Sequence, residues 1–527
     1  MKGLISTKML SPSELALSID RYALTVALSL YRQKKHEQRS CFEIFYRKSP
    51  SPELPGVIFA GTHFLKRFLK SVDVRNAFLE SSIKSLDLES EPGFVDFICE
   101  AKESALEIES VSEGILASPN MPVITLKGKI AHLLLFEAPI LSILQLASSA
   151  ATTAFVFSQF GQGKDMLEMG LRRAFGPEAG AIVSYYSCLS GFRSSSNMVI
   201  EPSLGKQSIG TISHAFILAY EHDPNLSTLV FPPDFLARLG AASSEEVVAR
   251  VLVKRKQFGA EGAVLSELKA FLAYAITFPD KFTGLVDTYD SLGSGFLNVL
   301  VVASLLSDAG IHRFGLRLDS GDLCELSVKI REAFRKVDEV YGTHFAKDAV
   351  IIASNDINLD FLKKLQHTPN ELDKLGIGTN LSTFSILKPI GFVFKLSEID
   401  SFGVSKNSNE IKKSYLPFSK VVYKASKGES RYVVVAGETE RVGAGVQMKF
   451  FRTDTSSDLP EEILIEFDFV ERILRKEFAN FDEKLFVENI ERESVLFKKE
   501  GYAAPVVLFS EKLITAKEQG MKSLKYA

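Results

Sequence analysis

Apolar and polar residues change their spacing several times along the chain, and each change predicts a different kind of element. Up to about residue 128, short alternations such as FEIFY from Phe42 and GVIFAG from Gly56 stand beside helical patterns such as FLKRFLKSV. Alternation next to turn residues predicts an antiparallel sheet with helices packed on it. The stretch from Ile130 to Phe157 is long and apolar, yet it contains His132, Glu137 and Pro139. It therefore predicts a buried helix pair broken near Pro139 rather than a membrane span.

From Asp287 to Thr379 the pattern is different. Short apolar runs end in acidic, Ser or Gly residues, and the first three lead into helical spacing: GLVDTYD before FLNVLVVASLLSDAG, FGLRLDSGD before LCELSVKIREAFRKV, and AVIIASND before LDFLKKL; KLGIGTN is the fourth. Units of this length predict parallel strands joined by right-handed crossovers, with all their loops on one face. Polar residues at the C-terminal ends of such strands converge on one mouth. Asp287, Asp319, Asp356 and the turn Gly376-Ile377-Gly378-Thr379 are expected there. Helix capping is the competing reading for the acids, and Ser320 with Asp322 suits a cap. Function is favoured for Asp287 and Asp319, while Asp356 is balanced between the two.

After about residue 391 the chain becomes alternating and basic, as in VSKNSNEIKKSYLPFSKVVYK. This reads as strands that rejoin the first domain or form their own sheet, and the part from Glu461 reads as mixed-charge helix and loop. The expected fold class is α/β: an irregular (β/α) barrel with a second α+β domain built from the N-terminal segment and part of the C-terminal region. The expected divisions are 1–128, 129–390 as the catalytic barrel, and 391–527.

A chain of 527 residues, 46% hydrophobic, has material for large cores. The net charge of -3 comes from 62 basic and 65 acidic residues without a long block of one sign, so neither nucleic acid nor a membrane is expected as a partner. The four cysteines, Cys41, Cys99, Cys188 and Cys324, form no C-x-x-C pair. No disulfide framework or zinc knuckle is indicated. With no signal-like apolar run in MKGLISTKMLSPSE, the expected location is the cytoplasm.

A glycine turn after a strand, as in GIGTN, lets backbone N–H groups approach a phosphate closely. Further motifs share one order along the chain: GLRRAFGPEAG from Gly170, SGFRSSSNM from Ser190, GTISHAF from Gly210, LVDTYDS from Leu285, RLDSGDL from Arg317, ASND from Ala353, GIGT from Gly376 and FKLSEI from Phe394. Together they resemble the nicotinate phosphoribosyltransferases, from IDRYALTV near the start to VVLFSEKL at Val506 to Leu513. The resemblance implies nicotinate, phosphoribosyl pyrophosphate and ATP as substrates, Mg2+ as cofactor, and a homodimer with shared active sites. Such a transfer calls for a phosphate cradle, a divalent metal, a slot for a flat base, and carboxylates near a transition state that resembles a ribosyl cation.

Residue by residue, the resemblance makes His214 the histidine phosphorylated by ATP. An isolated histidine is more often a core residue, and only its place in GTISHAF reverses that reading. Asp287 and Asp319 match carboxylates around ribose, pyrophosphate and Mg2+, for which hard oxygen ligands are suited. Arg317, two residues before Asp319, is expected on the same side of its strand, where its guanidinium suits the nicotinate carboxylate. Arg172 matches a second active-site arginine, whereas Arg173 reads as a solvated charge. Thr211, Ser354, Asn355, Asp356, Gly376, Gly378 and Thr379 fall at substrate-binding positions. Tyr22 and Arg47 match residues that reach the base slot and the phosphates from a neighbouring subunit. A core tyrosine and a surface arginine are their plain alternatives.

Ser196 stands where the related nicotinamide enzymes place Asp, which favours the acid substrate. Five positions depart from the family pattern. Met169 replaces a phenylalanine that stacks on the pyridine ring, and methionine stacks less rigidly. Ser213 and Ala215 flank His214 as though a Ser/Ala pair had been exchanged. Arg193 replaces an acid, and Phe418 replaces the glycine of a later turn. These departures leave open a transferase for nicotinamide or another pyridine such as quinolinate, and a catalytically weak homologue that binds a ligand.

Overall fold

The computed structural model describes residues 11–79, 91–102, 106–406, 415–427, 430–437, 447–452, 461–466, 469–472, 483–500, 506–510 and 513–516. The chain forms two compact units: one spans Phe157–Thr383, and the other joins Leu4–Val156 to Phe384–Ala527.

The first unit is built on six parallel strands: β1 (Asp165–Glu168), β2 (Ser194–Ser195), β3 (Thr283–Leu285), β4 (Phe314–Leu318), β5 (Ala349–Ser354) and β6 (Lys374–Ile377). Hydrogen bonds link them in the order β3, β4, β5, β6, β1, β2, every pair parallel. The sequence-predicted runs are β3 to β6, in chain order and adjacent. Their apolar side chains, among them Leu285, Leu316, Leu318, Ile351, Leu375 and Ile377, are buried, as strands covered on both faces require. The α/β class holds; ring closure is not among the pairings of the described residues.

Helices follow the strands as the spacing predicts. Phe296–Asp308 after β3 is buried along nearly its whole length, whereas Leu323–Tyr341 after β4 buries only the stripe Leu323, Cys324, Ser327, Ile330, Arg331 and Phe334. Phe334 packs on Phe296 and on Phe314 of β4, with ring centroids 5.0 and 5.7 Å apart.

Capping, the competing role for the acids, falls to other residues. Asp322 accepts from the N–H groups of Cys324 and Glu325, Asn358 from that of Phe361, and Asp290 from that of Gly293. Asp287, Asp319 and Asp356 carry no cap bond, and they sit just beyond the C-terminal ends of β3, β4 and β5.

The second unit contains a five-stranded antiparallel sheet in the order Phe402–Gly403, Val393–Ile399, Arg39–Phe45, Ile124–Lys129, Glu107–Ser110. Phe42 stacks on Phe394 across it at 4.5 Å. A second sheet of six strands holds Lys420–Lys427, Ser430–Gly437, Gln447–Arg452, Glu461–Glu466, Phe469–Arg472 and Val506–Ser510. The helix-and-loop reading beyond Glu461 is thus corrected: three of these strands lie there, around the helix Glu483–Glu500. In EEILIE the acidic ends hid an apolar centre that pairs in a ladder with Gln447–Arg452.

The division between units also differs from the expected 128/129 and 390/391. It falls inside the helix Glu137–Phe160 and after Thr383. That helix is largely apolar, and all but its last four residues belong to the second unit: Ser148 donates to the carbonyl of Ala60, and the N–H of Ile58 donates to Thr152. The break before it comes at Phe136, with Pro139 in the first turn where no N–H is required. An 18-residue window of this helix is 72% buried.

Phe418 adopts φ +66°, the left-handed conformation that glycine accepts without strain. Its ring covers Gly403, where a Cβ would meet ring atoms at 2.7 Å.

Candidate active site

Because all six strands of the first unit run the same way, the residues after them share one edge of the sheet. Met169 and Gly170 follow β1, Ser196 follows β2, Asp287 follows β3, Asp319 follows β4, Asn355 and Asp356 follow β5, and Gly378 with Thr379 follows β6. A cleft there is lined by Met169, Arg172, Arg173, Arg317, Asp319, Ser354, Asn355, Asp356, Gly376, Gly378 and Thr379, with Ile357 and Asn380. Eleven of these were named as sequence candidates or their neighbour; Arg173, read as a solvated charge, lies in the lining beside Arg172.

Arg317 organises the centre. Its Nε donates to Ser354 Oγ at 2.7 Å, Nη1 to Thr211 Oγ1 at 3.2 Å and Nη2 to Asp319 Oδ1 at 2.9 Å. The expectation that Arg317 and Asp319 share a strand side is met. Ser354 Oγ donates in turn to Asp319 Oδ1 at 2.5 Å. Three of the five guanidinium N–H groups therefore hold protein atoms, leaving two for a ligand.

His214 opens a short helix, His214–Leu218, and Ser213 caps it by accepting from the N–H of Phe216. The Ser/Ala exchange around His214 thus places the small hydroxyl where the helix start needs an acceptor. Nδ1 of His214 lies 3.0 Å from Thr288 Oγ1. Its Nε2 faces Asp287 Oδ1 at 3.8 Å and Asp319 Oδ2 at 4.0 Å. Ser320 Oγ donates to the other oxygen of Asp287 at 2.8 Å. His214, Asp287 and Asp319 can hold a metal ion by type and spacing: one ligand atom from each lies within 4.8 Å of the others.

Two L-residues in succession, Asn355 (φ +88°) and Asp356 (φ +47°), are left-handed at the end of β5. Such strain persists where surrounding structure over-determines it, most often at a site. Gly170 is required by close approach, and Gly376 lies under the end of the Met169 side chain. A Cβ on Gly170 would sit 1.8 Å from Ser382 Oγ, and one on Gly376 would sit 2.6 Å from Met169 Sδ. Met169 therefore lies directly over the β6 backbone.

Sequence reasoning missed Glu168, which is fully buried. Its carboxylate accepts from the N–H of Gly170, from Ser195 Oγ, and from Ser184 Oγ at 2.8 Å. Its carbonyl accepts from the N–H of Ser196 at 2.8 Å. One side chain thus ties the β1 turn to β2 and the helix Pro177–Leu189. Thr288, which orients His214, was missed too, and Ser320, expected to join Asp322 in capping the next helix, instead orients Asp287; each sits one residue beyond a predicted acid, the one signal available.

Ser196 is exposed at the end of β2 and Arg193 is exposed just before it. Tyr22 and Arg47 belong to the second unit. Tyr22 is 47% exposed on the helix Arg21–Arg32, and its hydroxyl donates to Glu137 Oε2; burial and that carboxylate raise its pKa. Arg47 stands 5.7 Å from the Phe45 ring centroid.

Comparison with known proteins agrees with this architecture. Residues 17–145 match the family profile described as the nicotinate phosphoribosyltransferase N-terminal domain. The nicotinate phosphoribosyltransferase of Caenorhabditis elegans is 32% identical over 425 residues, covering 80% of this chain and 75% of the relative. The human one is 32% identical over 417 residues, covering 77% and 76%. The crystal structure of the human enzyme superposes with a TM-score of 0.79 at 26% identity, covering 94% of this chain and 98% of that one. A nicotinate-nucleotide pyrophosphorylase from Pyrococcus furiosus shares the fold, with a TM-score of 0.61 at 15% identity over 95% of this chain and all of the other. The chain belongs to the nicotinate phosphoribosyltransferase family.

Proposed function

We propose that the protein joins nicotinate to the ribose of phosphoribosyl pyrophosphate, forming nicotinate mononucleotide and pyrophosphate for NAD salvage, with ATP hydrolysis coupled through His214. The observation that carries this reading is the convergence of Arg317, Asp319, Ser354 and the Gly376–Thr379 turn on one cleft, with His214 and Asp287 beside Asp319. Family membership supports the same reaction.

In this reading Arg172 and the two spare N–H groups of Arg317 hold the nicotinate carboxylate, and Met169 covers a face of the ring. The turn at Gly376, Gly378 and Thr379, with Asn355 and Asp356 opposite, receives the sugar phosphate. Asp287 and Asp319 would hold Mg2+, which would supply positive charge to the departing pyrophosphate. Their own negative charge favours the ribosyl cation character of the transition state.

With Nδ1 engaged by Thr288, Nε2 of His214 is the nitrogen that attacks the γ-phosphorus of ATP. The N–P bond forms as the bond to ADP breaks, and water later cleaves it. Ser196, neutral and exposed, leaves an acid substrate unrepelled. Tyr22 and Arg47 complete the site of a second copy in a homodimer. The four cysteines are free and buried, which suits a reducing cytoplasm.

Purified protein is expected to release pyrophosphate from phosphoribosyl pyrophosphate only with nicotinate and Mg2+, with ATP stimulating the rate. His214→Ala is expected to lose the ATP stimulation and retain some transfer. Preference for nicotinamide in the same assay overturns the base assignment.

A further inference from the structure

Three lone-pair atoms meet beside the cleft: Nε2 of His214, Oδ1 of Asp287 and Oδ2 of Asp319. In each residue the outer atom has a protein partner and the inner one faces the common point. Thr288 engages Nδ1 of His214, Ser320 engages Oδ2 of Asp287, and Arg317 with Ser354 engages Oδ1 of Asp319. Outer partners of this kind orient metal ligands. The inner oxygen of Asp287 is buried without a hydrogen-bond partner, on a side chain only 7% exposed. A buried carboxylate oxygen aimed at two other lone pairs calls for a cation.

We propose that these three atoms form a site for a borderline transition-metal ion such as Co2+ or Zn2+, and that its occupation excludes phosphorylation of His214. The second half rests on the phosphohistidine reading above.

The donor set decides which metal. Mg2+ takes oxygen ligands and keeps several waters, so it is served by the two carboxylates and leaves the imidazole free. Imidazole suits Zn2+ and its neighbours in the first transition row, which take nitrogen and carboxylate together. Metal–ligand bonds of about 2.0–2.2 Å would draw neighbouring donors to roughly 3–3.5 Å apart. Two of the separations, 3.8 and 4.0 Å, are already near that range. Nε2 has one lone pair, so it bonds either to phosphorus or to the metal. His214 is 42% exposed at its side chain, which leaves both a cation and ATP a path to it.

Co2+ is the probe, because its visible spectrum and its magnetic coupling to nitrogen report the ligands directly. The full-length protein, free of nucleotide, is titrated with Co2+ alone. One ion per chain with a histidine nitrogen in its coordination sphere is expected. Thr288→Val should weaken binding by roughly 10–100-fold, and His214→Ala by more than that and with loss of the nitrogen signal. Unchanged Co2+ affinity and spectrum in His214→Ala overturns the site.

In the second arm, phosphoryl transfer from labelled ATP to the protein is followed with excess Mg2+, with and without Co2+. Label suppressed by Co2+ supports the exclusion, and label unaffected by Co2+ at saturation overturns it. Absence of label without Co2+ removes the phosphohistidine reading and the exclusion with it, while the titration still decides the metal site.

Discussion

Glu168 shows how a residue outside the cleft shapes it. Its carboxylate is the shared acceptor for Gly170, Ser184 and Ser195, so leucine there would strand the buried donors of Gly170 and Ser195 at about 1–3 kcal/mol each, while Ser184 keeps the carbonyl of Gly180. Glu168→Leu is expected to lower melting temperature and transferase kcat/KM together. Glu168→Gln should keep most of both, because its amide oxygen can serve the Gly170 N–H while the serine hydroxyls rotate to accept. Equal behaviour of the two variants in steady-state kinetics and thermal melts would mean that Glu168 only fills space. Nothing in the spacing of DMLEMG marks this residue; three acceptor bonds are a property of the folded site.

At the scale of elements, the helix Leu265–Thr277 is joined to the segment after β3 through Glu267. This carboxyl is fully buried and receives Ser294 Oγ at 2.6 Å and Asn298 Nδ2 at 2.9 Å. Burial raises its pKa from the ordinary 4.5 to about 7; the two hydrogen bonds oppose the rise, and the charges of Asp287 and Asp290 add to it. The unfolded chain ionises near 4.5 while the folded one still holds the proton. Stability therefore falls as pH rises from about 4.5 to about 7 and is flat above, a loss of about 3 kcal/mol from this group. Glu267→Gln is expected to remove that slope, with a melting temperature above the parent's at pH 8 and close to it at pH 4.5. A parallel pH dependence in the two proteins, measured by thermal unfolding, would show that the carboxyl is not the source.

For the molecule as a whole, the chain crosses the first unit and returns to the second, and a buried ion pair marks the return. Lys420 Nζ donates to Glu43 Oε2 at 2.5 Å and its N–H to Oε1 at 3.1 Å, across 377 positions, with side chains 4% and 2% exposed. Removing one partner leaves a buried charge, so Lys420→Met is expected to cost about 3–5 kcal/mol. Glu43→Gln combined with Lys420→Met should recover much of it, since glutamine still accepts from the backbone N–H. Denaturant midpoints of the single and double variants check this; a double variant no more stable than Lys420→Met contradicts it.

Periodicity in the sequence determined the parallel strands β3 to β6 and the helices between them, because each is a local pattern with its own polar stop. It also determined that Asp287, Asp319 and the glycine turn share a mouth, since parallel strands put all their C-terminal ends on one edge. Strands β1 and β2 escaped it. Four and two residues long, they carry too few positions for a period, and only the family motif drew notice to Met169, Arg172 and Ser196. Tertiary structure alone decided which acids cap helices and which face the cleft, as Asp322 and Asp319 lie three residues apart with opposite duties. It also decided where the long apolar helix changes allegiance, and which atom of His214, Asp287 and Asp319 is left free. Those outcomes depend on partners distant in sequence, and no local spacing encodes them.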